Sequence, residues 1–118
     1  MPQQILVDLD RITELEEEFG VEDMAFVVDA FFEEADEALP GLENMLSSQP
    51  DQERAAVFHF LAGSAAMVGA AQFAGRCKDL EMTNTGFSRA ELDDLMAQYN
   101  AVRGWFEERF SGTASNAA

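Results

Sequence analysis

Apolar residues recur along this chain at alternating three- and four-residue steps, the spacing that puts them on one face of a helix. Leu9, Ile12 and Leu15 form a narrow stripe behind Asp8 and Asp10, either of which can cap a helix, and Gly20 supplies a stop. A longer seam follows from about Glu22 to Leu46 on Val28, Phe32, Ala35, Leu39, Leu42 and Leu46. Phe26 and Phe31 are expected to widen it, with Asp29, Glu33, Glu34, Asp36, Glu37 and Glu43 on the other side. Pro40-Gly41 interrupts the seam, but the apolar register continues across it, which predicts a kink and not a break.

Ser47 to Asp51 reads as a loop, with Ser48 or Asp51 capping a helix that runs to Val68 and ends at Gly69. Phe73, Cys77 and Leu80 already mark the next helix, from about Ala70 to Thr83, so the turn between the two is tight. Asn84-Thr85-Gly86 breaks the pattern, and Ser88 with Glu91 forms a capping box. The last helix runs to about Phe110 on Leu92, Leu95, Tyr99, Val102 and Phe106. No stretch alternates as a strand does. The pattern predicts an all-α fold, an antiparallel up-and-down four-helix bundle with a short extra N-terminal helix over one end. Residues 1–110 would form that single domain, and the small, polar 111–118 a flexible tail.

Charge changes the picture of the partners. The net charge is −16, which argues against nucleic acid and against an anionic membrane surface. No apolar run is long enough to cross a bilayer, and the N-terminus lacks the form of a signal peptide. Residues 1–53 hold sixteen acidic residues and one basic, whereas 54–118 hold seven and six. The lone Cys77 sits on an apolar stripe, reads as a core residue and suits a reducing cytoplasm.

The one histidine, His59, lies in that near-neutral half. At about 100° per residue, Val57, Leu61, Ser64 and Val68 fall opposite it, and Gln52, Ala55, Ala56, Ala62, Gly63 and Ala66 share its side. If the apolar side is the core side, the imidazole stands in solvent among small residues that would let another protein close over it. A solvated neutral imidazole keeps one lone pair free, a nucleophile that can take up and return a phosphoryl group. A metal site is disfavoured, because no second histidine exists. No glycine-rich phosphate loop and no nucleotide motif is present, and no acid is placed by sequence to serve His59 as a base, so the chain is not expected to phosphorylate itself from ATP.

The run His59-Phe60-Leu61-Ala62-Gly63-Ser64-Ala65-Ala66-Met67-Val68-Gly69 resembles the signature of the histidine-containing phosphotransfer (HPt) domains of bacterial phosphorelays, His-x-Leu-Lys-Gly-Ser-(Ala/Ser)-x-x-(apolar)-Gly. Leu80-Glu81 on the following helix is similar to a pair found there in the family. The resemblance implies that a receiver domain bearing an aspartyl phosphate docks over the histidine helix. Its phosphoryl would pass to the His59 nitrogen farther from the backbone, and then to the aspartate of a second receiver. It implies that Ala55, Ala56, Ala62, Gly63 and Ala66 form the docking face, and that receivers and a hybrid histidine kinase are the partners. The divalent cation would be the receiver's, so the chain itself needs no cofactor, and a self-contained bundle makes a monomer the expected state.

One position departs from the signature, since Ala62 stands where the family has lysine. That lysine offsets the charge of the phosphorylated imidazole. Arg54 points well off the His59 face, which leaves Arg76 and Lys78 on the next helix as possible replacements. Two other readings compete with the phosphocarrier. In one the chain is a non-phosphorylated adaptor that binds a receiver or kinase through the alanine patch. In the other Phe58, Phe60 and Trp105 bind a partner helix, although Phe58 and Phe60 lie on the flanks of the expected core side and are expected to fill the core.

Overall fold

The computed structural model describes residues 5–47, 49, 51–83 and 86–110. The expected tail at 111–118 and the expected breaks at Ser48, Pro50, Asn84 and Thr85 lie outside the described residues. Those described form five helices and no strand: α1 Leu9–Phe19, α2 Val21–Glu43, α3 Gln52–Val68, α4 Ala71–Met82 and α5 Arg89–Arg109.

Each helix starts and stops where local chemistry dictates. The Asp8 carboxylate accepts the Arg11 N–H at 3.1 Å and caps α1. Asp51 does the same for α3, taking the N–H groups of Glu53 and Arg54, and Ser88 with Glu91 closes a full capping box on α5. These contacts satisfy amide donors that a helix N-terminus otherwise leaves unpaired. α2 passes through Pro40 without breaking but ends at Glu43, three residues short of the expected Leu46. Met45 and Leu46 leave the helix and still pack half-buried against the core.

The interior is aromatic. Phe32 lies against Tyr99 and Phe106, and Phe31 meets Phe73 edge-on. The Tyr99 hydroxyl donates to the Phe32 carbonyl at 3.2 Å and to Asp36 at 2.7 Å, and Arg103 pairs with Asp36 at 2.8 Å. A buried hydroxyl is thus satisfied where α2 meets α5. Each large side chain buried in this core contributes about 1.5–3 kcal/mol.

Phe26 departs from expectation. It is 74% exposed, and Met24 is buried in its stead. The seam through Val28, Phe31, Phe32, Ala35 and Leu39 fixes the rotation of α2, and Phe26, two residues from Val28, falls about 200° round the axis from it.

Two ends are tied differently. At one, the loop after α2 meets the loop before α5 through paired backbone hydrogen bonds between Ser47 and Phe87, and Phe87 packs edge-on against Phe58. At the other, α1 covers the α3–α4 turn: the Asp8 amide donates to the Gly69 carbonyl at 2.8 Å, and the Gln72 amide to the Leu6 carbonyl. Ile12 and Leu15 of α1 are buried there.

Candidate functional site

The site lies on the α3–α4 hairpin. α3 ends because Gly69 takes up the left-handed conformation, with φ of 87°, which only glycine adopts without strain. The Gly69 amide then reaches the Ala66 carbonyl and the Ala70 amide the Ala65 carbonyl. With two residues between the helices, α4 must fold straight back along α3.

On α3 the buried residues are Arg54, Phe58, Leu61, Ala65 and Val68. Leu61 and Val68 are buried as expected, but Phe58 and Ala65 take the places assigned to Val57 and Ser64, which are half-buried. The helix is rotated by about 50° from the sequence-derived face, because seating the Phe58 ring against Phe87 gains more apolar burial than seating Val57. The same rotation corrects Phe60, which is 44% exposed and not in the core. Trp105 is half-buried and packs against the core.

His59 stays outside. Its side chain is 78% exposed. Ala56, Gly63 and Ala66 beside it are exposed, whereas Ala55 and Ala62 are half-buried on the flank that meets α4. A Cβ built on Gly63 would have no heavy atom within 4 Å. Phe60 and Met67, the latter 61% exposed, border this small-residue face on its other flank and give it an apolar rim.

The sequence reading missed one partner. Nδ1 of His59 lies 2.8 Å from Oε2 of Glu81 on α4. An ionised carboxylate only accepts hydrogen bonds, so in the neutral imidazole the proton sits on Nδ1 and the lone pair on Nε2. Glu81 is itself mostly shielded, with 27% of its side chain exposed. It borders an open groove of about 340 Å³ that runs past Ala55 to Asp51 at the start of α3. The acid that sequence alone could not place is therefore there, brought by the hairpin from twenty-two residues away. Counting eleven residues each way from Ala70, in the turn between the helices, is the signal that would have found it.

The two basic residues considered on α4 part company. Arg76 turns to α5, where its Nε lies 3.2 Å from an Asp94 oxygen. Lys78 is exposed and forms no hydrogen bond or ion pair with any described residue. Arg54 is buried, donating to the Met45 and Gln49 carbonyls and lying over the Phe87 ring. It organises the α2–α3 loop, away from His59. Cys77 is fully buried, and burial pushes its thiol up to about 12. Among the described residues no three His, Cys, Asp or Glu side chains gather so as to hold a metal ion, and no helix is long and apolar enough to cross a membrane.

Searches of curated proteins and of solved structures return no match. The model of the Hpt domain family matches residues 27–105, about two thirds of the chain, from the second turn of α2 to the last turn of α5. That span holds His59, Gly63 and Glu81 and leaves α1 outside. The chain therefore belongs to the Hpt domain family, whose members carry phosphoryl groups on histidine in two-component signalling.

Proposed function

We propose that this protein is a phosphorelay intermediate in which His59 takes a phosphoryl group from an aspartyl-phosphate receiver domain and hands it to another receiver. The observation that carries this reading is an exposed imidazole whose Nδ1 is engaged by Glu81, which leaves Nε2 facing solvent among side chains too small to obstruct it, with its lone pair free in the neutral ring. The Nε2 lone pair forms the N–P bond as the P–O bond to the aspartate breaks, and that electron pair leaves with the carboxylate. The ring gains positive charge as the bond forms, and the Glu81 carboxylate at Nδ1 offsets it. Transfer to the second receiver reverses the same exchange.

The remaining parts follow from that role. The face of Ala55, Ala56, Ala62, Gly63 and Ala66 receives the receiver, whose own divalent cation serves the aspartate side, and a hybrid histidine kinase feeds the relay. The chain acts as a cytoplasmic monomer without a kinase activity of its own. We read α2 to α5 as an up-and-down antiparallel bundle on which α1 is an extra element.

Incubation with a phosphorylated receiver tests the reading. Acid-labile, base-stable label should appear on the wild type and vanish in His59→Gln. Glu81→Ala should slow transfer about two- to fivefold, the worth of an exposed charge pair, and Glu81→Gln should lose less. Label that persists in His59→Gln would refute the acceptor role.

A further inference from the structure

We propose that the positive charge that steadies a phosphoryl group on His59 comes from Lys78, on the opposite helix of the hairpin. The inference rests on His59 as the acceptor and adds the source of neutralisation. A phosphoryl group carries between about −1.5 and −2 at neutral pH. Here it joins a chain of net charge −16, on a ring whose other nitrogen already faces a carboxylate. Some cation must offset that repulsion, and the protein has seven lysines and arginines in all.

Five are engaged elsewhere: Arg11 with Glu14, Arg76 with Asp94, Arg89 with Glu43 and Asp93, Arg103 with Asp36, and Arg109 with Glu16. Arg54 is buried under the α2–α3 loop. Lys78 alone is exposed with no partner among the described residues.

Its position follows from the register of the hairpin. His59 faces Glu81, and the two helices run in opposite directions from Gly69. Three residues forward on α3 and three back on α4 therefore bring Ala62 opposite Lys78. Around the α4 axis Lys78 lies about 60° from Glu81 on the α3 side, while Arg76 lies about 140° from Glu81 on the α5 side. The charge that the motif ordinarily carries on α3 is thus supplied from α4, over the single methyl group of Ala62. A lysine suits this, being a compact cation on a flexible four-carbon stem.

The full chain is labelled with phosphoramidate, which transfers its phosphoryl to imidazole and releases ammonia, and is followed by phosphorus NMR. At a fixed donor concentration Lys78→Ala should lower phosphoryl occupancy about two- to fivefold and raise the pH at which the bound phosphoryl dianion takes up a proton. Lys78→Arg should stay near the wild type, Arg76→Ala should change neither quantity, and adding Ala62→Lys to Lys78→Ala should restore both. The differences should shrink in molar salt, where exposed charges are screened. Unchanged occupancy and unchanged phosphoryl titration in Lys78→Ala would overturn the assignment of Lys78 while leaving His59 as the acceptor. An unlabelled wild type would overturn both.

Discussion

Gly63 offers a test in which stability and function should move in opposite directions. It sits in the middle of α3, one turn beyond His59, and a Cβ there would touch nothing within 4 Å. A glycine in an open helical position costs stability through its backbone freedom, about 0.5–1 kcal/mol relative to alanine. Gly63→Ala should therefore stabilise the fold by that amount. Unfolding entropy of about 2.1 cal/mol/K per residue gives roughly 0.25 kcal/mol/K for a chain of this size, so the melting temperature should rise about 2–4 °C. Gly104 on α5 is equally open, and Gly104→Ala should bring a similar rise with no effect on transfer. Gly63→Leu places a large side chain on the proposed docking face. A loss of about 1.4 kcal/mol of fit is already tenfold in affinity, so transfer from a phosphorylated receiver should slow at least about tenfold while the helical circular dichroism and melting temperature hold. Transfer at the wild-type rate in Gly63→Leu would refute docking over this face. A melting temperature lowered by Gly63→Ala would refute the packing argument.

Gly69 should behave in the contrary way. A Cβ there would lie 2.7 Å from Ile12 Cγ1 and 3.3 Å from the Asp8 carbonyl, at a φ of 87°. Gly69→Ala should thus cost about 2–4 kcal/mol from the left-handed backbone and the displaced Ile12, and a drop in melting temperature under about 4 °C would contradict it. Asp36 should shape the acid limb of stability. Hydrogen bonds from Arg103 and Tyr99 hold its carboxyl below the usual range, so its stabilisation is complete above the ordinary carboxylate pKa and is lost as pH falls through the lower folded value. The melting-temperature gap between wild type and Asp36→Asn should therefore close as pH drops below about 4. A gap that stays constant with pH would mean that the carboxyl is not held this way.

Much of this architecture was legible in the sequence because it is set by neighbours a few residues apart. Asp8, Asp51, the Ser88–Glu91 box and Gly69 all act where local reading puts them, and of the stripe Leu9, Ile12 and Leu15 the last two are buried while Leu9 is 50% exposed. What escaped depends on contacts between helices. Val57 and Phe58 are both apolar, and only the Phe87 ring, brought by a distant loop, decides which is buried. That choice turns α3 and leaves Phe60 outside. Phe26 misled for the same reason, since an aromatic beside a seam is counted as core until the rotation of α2 is known. Glu81 has no periodic signal of its own, and its meaning comes from the depth at which α4 lies against α3.

The two-residue link between α3 and α4 acts as a length gauge. Adding one residue there would carry Glu81 about 100° round its helix and 1.5 Å along it, which parts it from His59 and swings Lys78 off the Ala62 side. A residue added in the loop between α4 and α5 would leave both spacings intact. The spacing of His59, Glu81 and Lys78 thus depends on the near link, where chain length itself does the aiming, while the far loop acts through Phe87 on the rotation of α3.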